Sequence, residues 1–320
     1  MDTAVNAVLH FDNLIWHWPI AIYLFLAGVS AGAVLISILF KRRATSLGND
    51  PAHSSIVRAM ALIAPVSVIL GLAILVVDLS KPLEFWKMMI YGNPSSVMFW
   101  GVWGLSVYIG VLMLYLMAIF HEPMEVFAHF ISPLTHLINL VRRWDKYLET
   151  AMVVLAIGIG AYTGLLLSAL KAYPLLNNPL LPVLFLVSGL SSGAAATLLF
   201  AVLCFDGTNQ PEEIKFIHKI EKPVLAMELA LLALFFVGLS FGGAGSMKAL
   251  TTALNNDFWS VIFWGFVIGG GIALPWLLQW LLPESLTHHR YFVSFCCILS
   301  LSGVFALRHF MLYTGQMVPA

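Results

Sequence analysis

GAYTGLLLSALKAYPLLNNPLLPVLFLVSGLSSGA, residues 160–194, joins two apolar runs through a short polar turn. The pattern predicts the end of one membrane helix, a turn rich in Pro and Asn, and the start of the next helix. Tyr162, Ser168 and Lys171 place polar groups where hydrocarbon is otherwise expected, and such groups are costly in a bilayer unless they have a partner or a task. We interpret the stretch as one wall of a pocket for an amphipathic small molecule.

Apolar runs of similar length recur along the whole chain. The protein has 320 residues, of which 60% are hydrophobic and 10% charged, and its mean hydropathy is +0.92. Runs of about 20 residues are long enough to cross a hydrocarbon core of ~30 Å. The sequence therefore predicts an all-α membrane protein with eight transmembrane helices and no long soluble domain. The predicted spans are 18–40, 59–80, 97–120, 149–170, 180–204, 223–243, 258–281 and 291–313.

Basic residues are distributed unequally between the two sets of loops. One set carries eleven Lys and Arg residues and the other carries four. Because cytoplasmic loops are enriched in Lys and Arg, this bias predicts a cytoplasmic first loop and both termini in the periplasm of a bacterial inner membrane. The larger set is Lys41, Arg42, Arg43, Arg58, Arg142, Arg143, Lys146, Lys215, Lys219, Lys222 and Arg290, and the smaller is Lys81, Lys87, Lys171 and Lys248.

The predicted organisation is two four-helix bundles that form a parallel repeat. The first helix contains Gly28-Val-Ser-Ala-Gly32 and the fifth contains Gly189-Leu-Ser-Ser-Gly193. Each motif is a small-xxx-small face suited to close helix packing. The predicted boundaries are a periplasmic segment at 1–17, a first bundle at 18–170 that includes a cytoplasmic amphipathic loop at 121–147, a periplasmic turn at 171–179, a second bundle at 180–313 and a periplasmic tail at 314–320.

Polar side chains from several predicted helices gather towards the periplasmic side. Asp78 is either one half of an ion pair with Lys81 or Arg308, or a proton acceptor, since a carboxylate in an apolar setting is suited to take a proton. Tyr23 and Tyr162 are either core aromatics with a satisfied hydroxyl or phenols that hydrogen-bond a quinone carbonyl. For each residue the first alternative is structural and the second is functional, and the sequence leaves both alternatives open.

The other candidates on this side also have two interpretations. Lys81, Lys171 and Arg308 either extend to the lipid headgroups or shape the electrostatic field of the pocket. His17 is either an interfacial residue or part of the mouth of the pocket, and Ser168 is assigned to its wall. All of these residues are predicted to line or border a quinone-binding site.

A second group of polar residues points to the opposite side of the membrane. Glu149 opens the fourth predicted helix, Glu228 lies inside the sixth, and Tyr108 lies inside the third. Together they predict a route for protons from the cytoplasm, because ionisable groups inside membrane spans mark such pathways. The structural alternative is that the two acids are paired or solvated at helix ends.

Residues that could hold a metal or a haem are scarce. The three cysteines, Cys204, Cys296 and Cys297, lie in apolar runs and form no C-x-x-C motif, so we predict no iron–sulfur cluster in this chain. His309 is the histidine that falls well inside a span, so we also predict no haem and no metal. If electrons pass through this protein, an organic carrier must take them, and quinone is the carrier that dissolves in the bilayer.

These residues resemble the NrfD/PsrC family of membrane subunits. The matching stretches are Trp18-Pro-Ile-Ala-Ile-Tyr-Leu-Phe-Leu-Ala-Gly28, Asp78-Leu-Ser-Lys-Pro82 with Phe85-Trp86, Gly160-Ala-Tyr-Thr-Gly164 through Asn178-Pro179, and Ser188-Gly-Leu-Ser-Ser-Gly193. They cover the first five helices well and the last three loosely. The resemblance implies two four-helix bundles, no haem, and a menaquinone site on the periplasmic side.

The resemblance also implies partners and a function. Family members are quinone-reactive anchors of periplasmic nitrite and polysulfide reductase complexes, docked to a periplasmic ferredoxin-like subunit with four iron–sulfur clusters and through it to a catalytic reductase subunit. Quinone ligands in the family come from the first and fourth helices, which makes Tyr23 and Tyr162 the best matches. Some relatives carry a His near the Tyr23 position. The expected activity is menaquinol oxidation, with Asp78 and Tyr162 as catalytic residues.

Two other functions remain open at this stage. The duplicated architecture also permits a transporter of a small solute, and a passive membrane anchor without chemistry is the third possibility. The lipid bilayer is expected around the chain in every case, and no nucleic-acid partner is expected. The terminal electron acceptor, the direction of electron flow and net proton translocation are left open by the sequence.

Overall fold

Among the residues that the structure describes, eight helices are long and apolar enough to cross a membrane. The computed structural model describes residues 9–12, 14–47, 54–79, 81–120, 143–205, 207, 211–283 and 289–319. The helices are α1 (Trp18–Ser46), α2 (Ser55–Asp78), α3 (Val97–Ile119), α4 (Asp145–Ser168), α5 (Leu181–Cys204), α6 (Pro211–Phe241), α7 (Asp257–Leu281) and α8 (Arg290–Gln316). The prediction of an all-helical architecture with eight candidate spans is confirmed. The amphipathic helix predicted for the loop 121–147 falls largely on residues 121–142, outside the described residues.

The boundaries differ most from the prediction at α6. That helix begins at Pro211, twelve residues before the predicted start at 223, and it carries Pro223 inside it. The prediction placed the start at Pro223 because the preceding segment is rich in charge. The helix nevertheless extends through it, since Glu212 and Glu213 occupy its first turn, where negative charge stabilises the positive end of the helix dipole.

Three shorter helical elements and one π-helical stretch were not predicted. A 3₁₀ turn at Pro82–Glu84 and a helical turn at Lys87–Ile90 follow α2, and a helix at Ala244–Asn255 precedes α7. The middle of α7, Ile262–Ala273, is a π-helix between two α-helical ends. The glycines of this stretch help α7 to approach α8 closely, because a Cβ atom at Gly271 would lie 2.6 Å from the Cα of Gly303.

Helices α1 and α5 form the centre of the protein, and they touch through glycine. A Cβ atom at Gly32 would fall on the carbonyl group of Gly189, and one at Gly193 would fall on the backbone of Gly32. Small residues of this kind let two helices pack backbone to backbone, which is the main source of specific helix association in a bilayer. The two small-xxx-small motifs of the sequence therefore pack against each other.

The other helices surround this central pair. Helix α1 packs against α2 and α4, and α5 packs against α4, α6 and α8. Helix α3 packs against α4, and helix α7 packs against α8. Outer faces carry exposed apolar side chains such as Leu70, Val107 and Trp280. The start of α1 and the end of α8 meet, because the Gln316 side chain bonds to the backbone of Ile15 and Trp16. Both ends of the described chain consequently lie on the same side.

Candidate functional site

A cavity of about 430 Å³ opens near the start of α1, between α1, α2, α3, α4 and the short helical segments that follow α2. Its size falls in the range of about 300–1,000 Å³ that small-molecule sites occupy. Most of its walls are aliphatic, aromatic or thioether groups. The lining residues are Trp16, Ile20, Tyr23, Leu72, Leu75, Val76, Asp78, Leu79, Phe85, Met88, Met89, Met98, Val102, Leu105, Ser106, Tyr162 and Leu166.

Three predicted site residues meet in this cavity. Tyr23 on α1, Asp78 at the end of α2 and Tyr162 on α4 all line it. Tyr23 lies five residues inside α1 and Tyr162 six residues before the end of α4, so both phenols sit about 8–9 Å below the helix ends at 1.5 Å per residue. Asp78 is exposed at the level of the helix ends. The cavity thus has two phenols in its interior and one carboxylate at its mouth.

Space for the Tyr162 ring is provided by a glycine of α3. A Cβ atom at Gly101 would overlap the ring and hydroxyl of Tyr162. Any larger residue at this position would push the phenol out of its place or separate α3 from α4. Gly101 is therefore a positioning residue for the Tyr162 phenol.

Trp16 is held beside the cavity by hydrogen bonds to a residue near the opposite end of the sequence. Gln316, which is fully buried on α8, accepts hydrogen bonds from the N–H groups of Ile15 and Trp16 at 2.9 Å each. Its amide group donates in return to the carbonyl of Trp16 at 3.1 Å. Three hydrogen bonds to one buried side chain fix the segment before α1, and so hold the indole against the cavity.

Four other predicted ligands lie outside this lining. Lys81, Lys171 and His17 are exposed, and Ser168 uses its hydroxyl to donate to the carbonyl of Leu165 at 3.1 Å. Within the described ranges, Asp78 forms no ion pair with Lys81 or Arg308. The structure therefore brings Tyr23, Tyr162 and Asp78 together and leaves these four residues around or beyond the mouth.

Arg308 is also away from the cavity, in the interior between α1, α5 and α8. It is fully buried. Its guanidinium group donates to the carbonyl of Phe185 at 2.9 Å and stacks 3.7 Å from the centre of that ring. Glu228 on α6 is also buried and near enough for its charge to act on the guanidinium, but the two side chains form no ion pair within 4.0 Å. Two of its nitrogens and one Glu228 oxygen have no hydrogen-bond partner among the described residues, so this buried pair has unused donors and acceptors.

The two remaining candidates of the proton route belong to α3 and α4. The Tyr108 hydroxyl lies 3.1 Å from the Ser30 hydroxyl, which donates to the carbonyl of Ala64 at 2.7 Å. At the far end of α1, Glu149 forms an ion pair with Lys41 at 2.5 Å, and Lys41 also contacts Asp145 at 2.8 Å. Tyr108 therefore lies below the cavity and Glu149 lies at the opposite end of the molecule, whereas Glu228 lies with Arg308.

Several cavity residues were missed by the sequence interpretation. Met88, Met89 and Met98 line it as flexible thioethers, and Ser106 contributes a hydroxyl that donates to the carbonyl of Val102 at 2.8 Å. Neither the three methionines nor Ser106 belongs to a recognisable sequence motif. No sequence signal therefore distinguishes these residues from ordinary apolar or interfacial ones. Within the described part of the chain, no cluster of His, Cys, Asp and Glu could hold a metal ion.

The interior of α6, α7 and α8 at the same end of the molecule is filled instead. Phe263 packs against Phe236 and Phe310, with ring centres 5.1 and 4.8 Å apart. Trp259 stacks on Tyr313 at 5.1 Å. Aromatic packing of this kind fills the part of the second half that corresponds to the cavity between α1 and α4.

The fold defines an integral membrane protein with a cavity of small-molecule size between its first four helices. The sequence model of the family described as "Polysulphide reductase, NrfD" matches residues 6–320. The chain belongs to this NrfD family, whose members are membrane subunits of oxidoreductase complexes.

Curated relatives agree with this assignment over the full length. The protein is 40% identical to the C subunit of the polysulfide reductase of Wolinella succinogenes over 319 residues, which cover 99% of both sequences. It is 43% identical to protein NrfD of Escherichia coli over 320 residues, 98% of this chain and 99% of the relative. A more distant relative is the Hdr-like menaquinol oxidoreductase integral membrane subunit of Archaeoglobus fulgidus, 24% identical over 91% of this chain and 68% of its own length.

Proposed function

We propose that this subunit binds menaquinol in the cavity of α1–α4 and oxidises it, passing the electrons to an iron–sulfur partner subunit. The observation that carries the proposal is the cavity itself, with apolar walls and three convergent polar side chains. The name of the Archaeoglobus relative, a menaquinol oxidoreductase subunit, supports menaquinol as the substrate. In the proposed reaction a bound quinol supplies two electrons and two protons.

The side chains of the cavity fit a quinone headgroup. Tyr23 and Tyr162 can donate hydrogen bonds to its two oxygens, because no described residue accepts from either phenol. The aliphatic and methionine groups suit the ring and the isoprenoid chain, since apolar surface removed from water stabilises by about 25 cal/mol per Å². Asp78, at the mouth, would accept a proton from the bound headgroup and release it on that side.

The mouth of the cavity also presents a surface for a partner. The segment after α2 exposes apolar groups, with Leu83 90% and Tyr91 78% exposed, and Trp100 is 65% exposed at the start of α3. Exposed apolar patches beside a site mark protein or membrane contacts. We assign this surface to the ferredoxin-like subunit with four iron–sulfur clusters, through which a catalytic reductase would exchange electrons for nitrite or polysulfide reduction.

We assign a second proton route between the cavity and the opposite end of the molecule, which would carry protons in addition to the two that quinol oxidation releases. Ser30 and Tyr108 are hydrogen-bonded below it, and Lys41, Glu149 and Asp145 form a charged cluster at the end of α1. We assign Tyr108 and Glu149 to this route, and Glu228 to a separate branch beside Arg308. Tyr108→Phe is expected to lower the number of protons moved per electron in proteoliposomes and leave quinol binding intact; an unchanged ratio contradicts the route.

The orientation and repeat follow from the same proposal. We propose that the cavity end of the molecule faces the periplasm of a bacterial inner membrane, because the distribution of loop charges favours this orientation. A parallel repeat is supported by matching neighbours, since α1 packs against α2 and α4 as α5 packs against α6 and α8. Cysteine labelling in intact cells tests the orientation: a cysteine placed at exposed Lys171 should react with an impermeant reagent, whereas protection until the membrane is opened would reverse the assignment.

Fluorescence quenching tests quinone binding directly. Trp16 lines the cavity, so a naphthoquinol analogue of menaquinol should quench the purified subunit, and Trp16→Phe should remove the saturable part of the quenching. Trp280→Phe is the matched control, because Trp280 is 76% exposed on α7 and should contribute only unsaturable quenching. Equal saturable quenching in both variants would place the quinone elsewhere. Absence of any saturable quenching would favour the transporter or passive-anchor interpretation.

A further inference from the structure

A groove runs between α1 and α6 at the end of the molecule opposite the menaquinol cavity. It consists of two cavities along this pair of helices, and the inner one is also walled by α4 and α5. The outer cavity, of about 180 Å³, is lined by Phe40, Arg43, Ala44, Leu47, Glu212, Lys215, Phe216 and Lys219. The inner cavity, of about 420 Å³, is lined by Leu35, Ile36, Ile38, Leu39, Arg42, Val153, Ile157, Leu186, Leu190, Ile220 and Val224.

The outer part of the groove is basic. Arg43, Lys215 and Lys219 face it together with one acid, Glu212. Glu212 is 3.9 Å from Lys215, while neither Arg43 nor Lys219 forms an ion pair with a described carboxylate. Arg43 lies over the ring of Phe216, 5.5 Å from its centre, which holds the guanidinium beside the groove. This part therefore has an excess of positive charge directed at an empty volume.

The inner part is apolar and as deep as one leaflet of a bilayer. From Arg43 to Leu35, and from Lys215 to Val224, the helices rise about 12–14 Å at 1.5 Å per residue. Half of a hydrocarbon core of ~30 Å is about 15 Å. Arg42 is the charged residue of the inner lining, and it is engaged with Thr150 at 3.1 Å and Glu149 at 3.7 Å. Apart from Arg42, the inner groove offers hydrocarbon surface to an occupant.

We propose that this groove is a binding site for one anionic phospholipid. The phosphate would contact Arg43 and Lys219, and an acyl chain would lie along Leu39, Ile220 and Val224. Positive charge at the headgroup level above an apolar cleft is the arrangement that selects anionic over zwitterionic lipids. The lipid would fill the gap between α1 and α6, and so connect the central helix pair to the second half of the molecule.

A second quinone is the alternative occupant, and the charges argue against it. A quinone headgroup is neutral and is held by hydrogen bonds, which the menaquinol cavity provides through phenols. The outer groove provides mainly cations, which a neutral headgroup cannot neutralise. The proposal is independent of quinol oxidation, because no residue of this groove lines the menaquinol cavity.

Native mass spectrometry of the purified full-length protein tests the headgroup contact. After delipidation, phosphatidylglycerol and phosphatidylcholine with identical acyl chains are added back separately. Wild type should bind one phosphatidylglycerol preferentially. Arg43→Gln with Lys219→Gln should weaken it about thirtyfold, and Lys219→Gln alone about fivefold, from about 1 kcal/mol per cation. Lys222→Gln is the matched control, because Lys222 is exposed on α6 outside both cavities.

The apolar contact is tested with variants of equal size. Val224→Trp fills the inner cavity and should abolish phosphatidylglycerol binding. Val237 is 52% exposed on the outer surface of α6, so Val237→Trp should leave the binding unchanged. Inorganic phosphate at millimolar concentration should not displace the lipid. Equal binding of the two lipids, equal losses in Lys222→Gln and Lys219→Gln, displacement by phosphate, or a menaquinone molecule lost with Val224→Trp would each overturn the proposal.

Discussion

Asp78→Asn is expected to reduce menaquinol-dependent turnover by about 10²–10⁴-fold, the range that one positioned proton acceptor contributes to a reaction. Asn has the size of Asp and keeps a polar group at the mouth of the cavity, but it cannot accept a proton. Asp78 is the only carboxylate in the described cavity lining. Turnover should be measured with a menaquinol analogue and the assembled complex in membranes, with the amount of subunit determined in the same preparations.

The control for this prediction is another exposed acid at the same end of the molecule. Asp257 lies in the first turn of α7, away from the cavity, so Asp257→Asn should retain wild-type turnover. Full activity in Asp78→Asn at normal subunit levels would remove Asp78 from proton transfer. A loss of similar size in both variants would indicate a general effect of charge on docking of the partner.

Gly32→Ala is expected to lower the free energy of unfolding by about 1–3 kcal/mol, the usual cost of forcing a methyl group into a packed core. The added Cβ atom would fall on the carbonyl of Gly189, so α1 and α5 would have to separate along the centre of the protein. Thermal unfolding in detergent, followed by the loss of monodisperse protein, measures the effect. The yield of membrane-inserted protein should fall in parallel.

A Gly→Ala substitution at Gly158 should not lower the stability of the protein. A Cβ atom at Gly158, inside α4, meets no atom within 4 Å, and Ala is favoured over Gly in a helix by up to about 1 kcal/mol. Gly158→Ala should therefore leave stability unchanged or raise it. Equal melting temperatures for Gly32→Ala and Gly158→Ala would show that the contact between the central helices does not hold the fold together.

The eight spans could be predicted because length and hydropathy determine them. A run of about 20 apolar residues has few alternatives to a membrane helix. The two small-xxx-small motifs also predicted close packing correctly, but not that Gly32 would face Gly189. The partner of a helix face depends on where the other seven helices lie. The extension of α6 through residues 211–222 was missed for a related reason, since its charged turns carry no hydropathy signal.

The site could be predicted only in part. Tyr23 and Tyr162 lie at a similar depth on their own helices and Asp78 lies at the end of its helix above them, and such depths can be counted along a helix. Which face each side chain takes cannot be counted in this way. Arg308 has a depth similar to theirs, yet it points into the interior towards Phe185. Gly101, which makes room for Tyr162, is recognisable only once α3 and α4 are placed together.

The filled interior of α6–α8 agrees with the proposal that the quinol site lies in the first half of the molecule. Phe263, Phe310 and Trp259 occupy the space there with stacked and edge-on rings. In the first half, the same end of the bundle holds a cavity walled by smaller and more flexible groups. If the halves are a repeat, the first half has kept a binding site that the second half has filled with aromatic side chains.

The most direct test of the central claim is the quinone content of the purified protein. Organic extracts of wild type should contain about one menaquinone per protein molecule. Extracts of Val102→Trp, in which the new side chain fills the cavity, should contain almost none. Val107 is 51% exposed on the outer face of the same helix, so extracts of Val107→Trp should match wild type. Menaquinone retained at the wild-type level in Val102→Trp would contradict the proposal that this cavity is the quinol site.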